Sequence, residues 1–250
     1  EPNSGDGAGI LTGMPYTFFA GISKECFGVY LEEGRYAVGN IFLPNEGKER
    51  AICKKSFEEV CCENELEIIG WRDLPIDIKK ADIGPSALKA MPKIEQVFVK
   101  DNSSFFNQED FERRLYLARK KVSNHLRVNS ELDEADLFYI CSLSSKTIVY
   151  KGMMLVSNVD KYFLDLKDER CQSALALVHQ RFSTNTFPSW RLAQPFRYLC
   201  HNGEINTVKG NINWMNSRKH SMKSKTLGED LEKLWPIIEN SPSDSSTFDN

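Results

Sequence analysis

Three short polar segments of this chain carry side chains that could bind or react with a small molecule. Residues 179–185 (HQRFSTN) and residues 201–206 (HNGEIN) each follow an apolar run, and residues 243–246 (SDSS) lie near the end of the sequence. Functional groups are often displayed where strands and helices end, so each segment is a candidate site. Each also has a plain structural interpretation, namely a surface charge at Arg181, a turn at residues 202–203 and a helix cap at Asp244.

The residue types in these segments suit one kind of substrate when they are taken together. The planar guanidinium of Arg181 can hold a carboxylate through two hydrogen bonds. The side-chain amide of Asn202 and the backbone N–H of Gly203 can both donate to a developing oxyanion. Asp244 can accept hydrogen bonds from an ammonium group. A carboxylate, an ammonium group and a tetrahedral oxyanion occur together in amide hydrolysis on a free amino acid such as glutamine.

Regular elements must hold these segments in place. The run at residues 173–178 is apolar on both faces, which is typical of a strand inside a layered core. Residues 196–200 predict a second strand, and helices are expected over residues 207–222 and 228–240. Strands that cluster with flanking helices favour an α+β layered domain. Upstream, the periodicity predicts strands at 36–43, 68–75 and 92–99, helices at 48–67 and 106–128, and a hairpin with strands at 137–142 and 147–150.

Composition argues against several classes of function. The net charge is −3, from 32 Lys and Arg against 35 Asp and Glu, so the chain has no basic footprint for nucleic acid or an acidic membrane. Its apolar stretches are far too short to span a bilayer. The glycine-rich opening at residues 3–9 has the wrong spacing for a dinucleotide fingerprint and predicts a tight turn between two strands.

Cysteine and histidine spacing gives no sign of a metal or redox centre. The seven cysteines form no Cys-x-x-Cys pair, so we interpret them as free, buried thiols in a reducing compartment. His179 and His201 each follow an apolar run and are expected to hydrogen-bond locally. His125 and His220 lie in predicted helices and are expected to be structural or to face solvent. No further ligands occur at the spacing that a zinc site would need.

Two longer motifs connect the chain with a known family. The runs HQRFSTNTFPSW at residues 179–190 and YLCHNGEINTVKGN at residues 198–211 closely resemble the class II glutamine amidotransferase domain of glutamate synthases. Other class II members usually continue the arginine motif with tryptophan and histidine, where this chain has Phe182 and Asn185. The resemblance covers nearly the whole chain and includes segments at residues 5–9, 70–72, 92–99 and 241–245.

The resemblance implies a fold and a set of roles. The family fold is a layered αββα sandwich of the N-terminal-nucleophile hydrolase type, in agreement with the α+β class. Arg181 would bind the α-carboxylate of glutamine and Asp244 its α-amino group. Asn202, through its side chain, and Gly203, through its backbone N–H, would form the oxyanion hole, and Thr184 would line the pocket. The implied reaction converts L-glutamine to L-glutamate and ammonia.

The nucleophile that the resemblance implies is a cysteine at the mature N-terminus, whose own α-amino group acts as base. An α-amine titrates at a pKa of about 7.7–8.0, which suits that work. The sequence starts at Glu1, so we expect residues 1–250 to be an amidotransferase domain incomplete at both ends and inactive alone. Cys200 adjoins His201, but neighbouring strand residues point to opposite faces, so we expect Cys200 to fill the core.

The resemblance also implies partners outside these residues. Ammonia would pass to a separate synthase domain that carries FMN and an iron–sulfur cluster and aminates 2-oxoglutarate, whereas these 250 residues would hold no cofactor. The electron donor (NADH, NADPH or ferredoxin, with or without a donating subunit) stays open, as do the organism and the oligomeric state. The expected compartment is the cytoplasm or a plastid or other organelle stroma. The alternatives are a glutamine- or glutamate-binding module without a nucleophile, or an inactive structural fragment.

Overall fold

The computed structural model describes residues 5–128, 132–181, 187–238 and 243–249. These residues form two antiparallel sheets with helices packed on and around them, which confirms the expected α+β sandwich. The strands are β1 (Ala8–Gly13), β2 (Tyr36–Leu43), β3 (Leu66–Asp73), β4 (Lys93–Asp101), β5 (Tyr139–Ser144), β6 (Thr147–Gly152) and β7 (Ala176–Gln180).

The helices differ widely in length. The α-helices are α1 (Tyr16–Phe27), α2 (Gly47–Glu63), α3 (Ile78–Ala81), α4 (Pro85–Lys89), α5 (Gln108–Val128), α6 (Val159–Tyr162), α7 (Val208–Ser217), α8 (Asp230–Lys233) and α9 (Asp244–Phe248). The predicted helices at 48–67 and 106–128 correspond to α2 and α5, so both are confirmed. The two helices predicted after residue 206 are shorter than expected.

In the four-stranded sheet, which has the order β3-β4-β2-β5, the strands β2, β4 and β5 are largely buried, whereas the edge strand β3 is mostly half-exposed. Because side chains alternate along a strand, β2 sends Val38 and Phe42 toward the other sheet and Ala37 and Ile41 toward the helices. This explains why β2 is almost continuously apolar. On the helical side, α5 presents the stripe expected from the sequence: Phe111, Leu115, Ala118, Val122 and Leu126, each 0% exposed.

The predicted hairpin is wrong, because its two strands belong to different sheets. β5 pairs with β2 and β6 pairs with β1, so the turn between them carries the chain across the sandwich. The Ser144 hydroxyl accepts from the backbone N–H groups of Lys146 (2.9 Å) and Thr147 (3.3 Å). Alternation in the sequence fixes which face of each strand is buried, but a short turn does not fix its partner strand.

The three-stranded sheet, in the order β6-β1-β7, has β7 at its edge. The strand predicted at 173–178 lies at 176–180, and it is not buried on both faces. Its outward side chains, including Val178 at 53%, are exposed among the described residues. Its other face carries Leu177 and His179, which are half-buried. The apolar residues that predicted a fully buried strand therefore line an edge strand with one open face.

Candidate active site

Arg181 directly follows β7 and is nearly buried, with 8% of its surface exposed. Its backbone N–H donates to the carbonyl oxygen of Gly7 (2.8 Å), which continues the β1–β7 pairing by one residue. Desolvation lowers the pKa of its guanidinium, and the carboxylate of Asp6 acts in the opposite direction. An arginine keeps its proton at neutral pH in either case, so the structure presents a buried positive charge here.

The glycine-rich opening packs against Ala193, which precedes the second polar segment. Gly7 has φ +121°, and a Cβ added there would lie 2.7 Å from the Cβ of Ala193. Only glycine fits this backbone conformation and this contact. Residues 5–7 bend and lead directly into β1, which already includes Ala8 and Gly9, so the predicted turn is shorter than expected, and its residues 3–4 lie outside the described residues. The close approach brings residues 193–201 beside the end of β7.

His179 lies two residues before Arg181 and therefore on the same side of β7. Both of its ring nitrogens are buried without a hydrogen-bond partner among the described residues. Burial lowers the pKa of His179, and the charges of Arg181 and His201 lower it further. The expected local hydrogen bond is thus wrong for His179. Its two-residue spacing from Arg181 is the sequence signal that places it in the site.

The strand predicted at residues 196–200 is replaced by a tight turn, in which the Phe196 N–H donates to the Leu199 carbonyl (2.8 Å). Gln194 precedes this turn, and its side chain holds the backbone of His201, which follows the turn. The Gln194 amide donates to the carbonyl of His201 (2.9 Å), and its oxygen accepts from the N–H of His201 (2.8 Å). These two hydrogen bonds hold the backbone of His201, as hydrogen bonds from an adjacent strand would.

Asn202 and Gly203 follow His201 directly and are exposed. A Cβ at Gly203 would lie 3.0 Å from Nε2 of His201, so the imidazole packs closely beside the glycine. The His201 ring also lies 3.1 Å, through Nδ1, from the Ser245 hydroxyl. That hydroxyl donates to the carbonyl of His201 (3.2 Å). A hydroxyl has one hydrogen, so in this arrangement it accepts from Nδ1–H.

Asp244 is the first residue of α9, and its Oδ2 accepts from the backbone N–H of Ile205 (2.7 Å). The helix is capped by Ser243, whose hydroxyl accepts from the N–H of Ser246 (3.4 Å), so the helix-cap interpretation of Asp244 is wrong. Asp244 instead ties α9 to the loop that carries the Asn-Gly pair.

The structure therefore brings two of the three polar segments into direct contact. Residues 201–206 and 243–246 share hydrogen bonds. Arg181 is connected with them only electrostatically, because the charges of Arg181 and His201 both lower the pKa of His179. Thr184 lies outside the described residues.

A cavity of about 310 Å³ opens beside this contact, and Cys200 forms part of its wall. Cys200 is partly exposed, so its expected place in the core is wrong. The turn at residues 196–199 replaces the strand on which that expectation rested. The wall consists of Leu199, Cys200, His201, Ile205, Ser245 and Phe248.

The cysteines and acidic residues form no other centre in the part of the chain that the structure describes. All seven cysteines are free thiols, as the sequence predicted, but only three of them are buried (Cys53, Cys61 and Cys141). The predicted burial is wrong for the others, since two are exposed and two are partly exposed (Cys26, Cys62, Cys171 and Cys200). No group of three or more His, Cys, Asp or Glu side chains among the described residues could hold a metal ion. Nor does any helix in the described ranges have the length and apolarity to cross a bilayer.

Comparison with known proteins gives one family over the full length of the chain. Residues 1–250 match the family described as glutamine amidotransferases class-II. The chain is 45% identical over 251 residues to the glutamate synthase [NADPH] large chain of Bacillus subtilis, and the match covers 100% of this chain and 16% of that protein.

Relatives from eukaryotes are similar to a comparable degree. The chain is 44% identical to the glutamate synthase [NADH] of Saccharomyces cerevisiae, over 99% of this chain and 12% of that protein. It is 38% identical to the chloroplastic ferredoxin-dependent glutamate synthase of Oryza sativa, over 100% of this chain and 15% of that protein. The chain thus spans 12–16% of the length of these curated relatives.

Proposed function

Because this chain belongs to the class II glutamine amidotransferases, we propose that it forms the glutamine site of an enzyme that hydrolyses L-glutamine to L-glutamate and ammonia. The contact between the Asn202-Gly203 loop and Asp244, made through the Ile205 N–H, is the observation that carries this proposal. It ties the loop that carries Asn202 and Gly203 to a carboxylate, which supports a site with the donor pair and the carboxylate that amide hydrolysis on an amino acid needs. Family membership also favours an enzyme over a binding module.

In this proposal Arg181 and Asp244 orient the amino-acid end of glutamine. Arg181 is nearly buried, so its charge is poorly screened by water and its two-pronged contact with an α-carboxylate is strong. Asp244 accepts from the α-ammonium while its Oδ2 is held by Ile205. Thr184 lines the pocket, as the resemblance implies.

Asn202 and Gly203 stabilise the transition state. A nucleophile that attacks the side-chain amide carbon turns the carbonyl oxygen into an oxyanion, toward which the Asn202 amide and the Gly203 N–H donate. Such donors act mainly where charge develops, so they accelerate the reaction more than they tighten ground-state binding.

The nucleophile in this proposal is the N-terminal cysteine that the resemblance implies. Its thiolate attacks the amide carbon, ammonia leaves from the tetrahedral intermediate, and water hydrolyses the resulting thioester to glutamate. A polypeptide that starts at Glu1 supplies neither that thiolate nor its α-amine base. The 250-residue chain alone should therefore release no ammonia from glutamine above a heat-treated control, and measurable release would refute this assignment of the nucleophile.

The proposed product, ammonia, would be used elsewhere in a longer protein. Because the relatives are glutamate synthases that extend far beyond the matched region, we place the amination of 2-oxoglutarate in another domain. The FMN and the iron–sulfur cluster that the resemblance implies would lie there too. The relatives are named for different electron donors, so the donor stays open, and so does the choice between cytoplasm and plastid.

Replacing Arg181 with lysine in the full-length protein tests how the substrate is held. Lysine keeps the charge but loses the planar fork, so glutamine-dependent turnover at low glutamine should fall about ten- to hundredfold, mainly through KM. Steady-state kinetics with glutamine measure the change, and Arg35→Lys, an exposed arginine with 52% of its side chain accessible, serves as control. Unchanged KM and kcat in Arg181→Lys would show that this arginine does not bind substrate.

A further inference from the structure

Gln194 is a buried amide that belongs to none of the three polar segments. Only 4% of its surface is exposed, and its side chain makes both of its hydrogen bonds to the backbone of one residue, His201. A buried primary amide that pairs with the N–H and the carbonyl of one residue fixes the position and the orientation of that peptide. The residue it fixes directly precedes Asn202.

The backbone of Gln194 is itself tightly held. A Cβ at Gly9, near the start of β1, would lie 2.8 Å from the carbonyl oxygen of Gln194 and 2.5 Å from the carbonyl oxygen of Tyr150. Gly9 therefore lets the Gln194 backbone lie directly against the three-stranded sheet. Through this contact the sheet, rather than the loop, sets the position of the Gln194 amide.

Without Gln194, the loop from 201 to 206 would be held mainly from the side of α9. The contacts there are Ile205 to Asp244 and His201 to Ser245. Asn202 and Gly203 are exposed. A donor pair on an exposed loop holds its geometry only if the neighbouring backbone is fixed, and Gln194 supplies that on the side of the sheet.

We propose that Gln194 is a positioning residue for glutamine hydrolysis, which holds the peptide of His201 so that the Asn202 amide and the Gly203 N–H point at the developing oxyanion. This inference rests on the proposed function. Gln194 touches no reacting atom and acts through the loop. Its loss should lower kcat for glutamine more than it raises KM, because the donors matter mainly in the transition state.

The experiment uses the full-length protein with Gln194→Leu, which keeps the approximate size and removes both hydrogen bonds. Glutamine-dependent turnover should fall by up to about a hundredfold in kcat, because small misplacements of a catalytic group cost that much. Turnover with added ammonium salt in place of glutamine should be kept. Gln172→Leu is the matched control, since Gln172 is exposed and its amide donates to the backbone carbonyl of Glu169.

A double-mutant cycle with Asn202→Ala separates positioning from a merely structural role. If Gln194 works through the donor pair, Gln194→Leu should cost much less in the Asn202→Ala background than in the wild type. An equal loss of kcat in both backgrounds would overturn the inference, as would no loss in the wild-type background. If Asn202→Ala alone has no effect, the proposed function fails, and that result is distinct from either of these.

Gln194→Glu supplies a readout that survives if the leucine variant folds poorly. A protonated carboxyl group can donate to the His201 carbonyl and accept from its N–H, as the amide does, whereas a carboxylate cannot donate. Burial raises the pKa of such a carboxyl group, so the glutamine-dependent kcat of Gln194→Glu relative to wild type should rise as the pH falls. The ammonia-dependent ratio should stay flat. Two ratios that move together, or a glutamine ratio that does not rise, would overturn the inference.

Discussion

His179 and Arg181 lie on the same side of β7 and its continuation, and they differ in their charge at neutral pH. Arg181 keeps its proton although it is nearly buried, whereas burial and two neighbouring charges lower the pKa of His179. At neutral pH the site therefore holds one cation and one neutral imidazole at these positions. A neutral His179 leaves Arg181 without a competing positive charge beside the carboxylate that it is proposed to bind.

The lowered pKa of His179 predicts a pH-dependent stability. An unfolded histidine titrates near pH 6.5, so between that value and the lower folded pKa the unfolded chain binds more protons. The free energy of unfolding should therefore decrease as the pH falls below about 6.5. His179→Phe should lessen this decrease, because phenylalanine has no proton to gain.

Thermal unfolding of the 250-residue chain at pH 7.5 and pH 5.5 measures this effect. The drop in Tm between the two values should be smaller for His179→Phe than for the wild type. His220→Phe is the control, because His220 is exposed and should keep the wild-type drop. If His179→Phe loses as much Tm on acidification as the wild type, the imidazole is not held neutral by burial.

At the scale of the elements, a buried polar network joins the two sheets. Arg72 on β3 pairs with Asp165 through two hydrogen bonds (3.0 and 2.8 Å) and donates to Gln96 on β4 (2.8 Å). Gln96 donates to Asn40 on β2 (3.0 Å), and Asn40 donates across the sandwich to the Val149 carbonyl on β6 (2.9 Å). Arg72 and Gln96 lie in segments that the sequence marks both as predicted strands, at residues 68–75 and 92–99, and through the family resemblance.

This network predicts an asymmetry between single and double substitutions. Asp165→Ala leaves the guanidinium of Arg72 buried without its carboxylate, which should destabilise the fold by about 3–5 kcal/mol. Replacing both residues, as Arg72→Met with Asp165→Leu, should cost less than Asp165→Ala alone, because no unpaired charge remains. Denaturant unfolding of the three proteins makes the comparison. A double variant less stable than Asp165→Ala would show that the ion pair itself stabilises the sandwich.

The positions of helices and strands could be predicted where the hydrophobic periodicity is strong, but the strand with which each strand pairs could not. The apolar stripe of α5 reflects burial of one helix face, and the nearly continuous apolar run of β2 reflects burial of both strand faces. Both patterns can be seen in the sequence. The pairing of β5 with β2 and of β6 with β1 joins strands that lie roughly a hundred or more residues apart in the sequence. The apolar run at residues 196–200 predicted a strand, but in the turn that replaces it Phe196 is buried whereas Tyr198 is 71% exposed.

At the scale of the whole molecule, the candidate site is assembled from positions far apart in the chain. β7 is an edge strand, the Asn-Gly loop follows about twenty residues later, and α9 about forty residues after that. Residue chemistry alone suggested which groups belong together, and the family motifs gave their roles. The contacts of Ile205 with Asp244, and of Gln194 with His201, could not be predicted, because backbone N–H groups carry no sequence signal.

The described residues form a helical layer, the four-stranded sheet and the three-stranded sheet. The candidate site lies beside the edge of the three-stranded sheet, where β7 ends and Gly7 packs on Ala193. The outward face of β7 exposes Val178. The three-stranded sheet thus borders the candidate site on the side of Arg181, and the loop at residues 201–206 and α9 contact each other beside it.

The central claim is that the Asn202-Gly203 pair stabilises an oxyanion formed from glutamine, and Asn202→Ala in the full-length protein tests it most directly. Losing one oxyanion donor costs about 10²–10³ in kcat in a comparable site, with little change in KM. Glutamine-dependent turnover should fall by that order, whereas turnover with added ammonia should persist because it bypasses this site. Asn216→Ala, an exposed position on α7, is the control. Loss of both activities together would assign Asn202 to the fold, and loss of neither would contradict the site assignment at its centre.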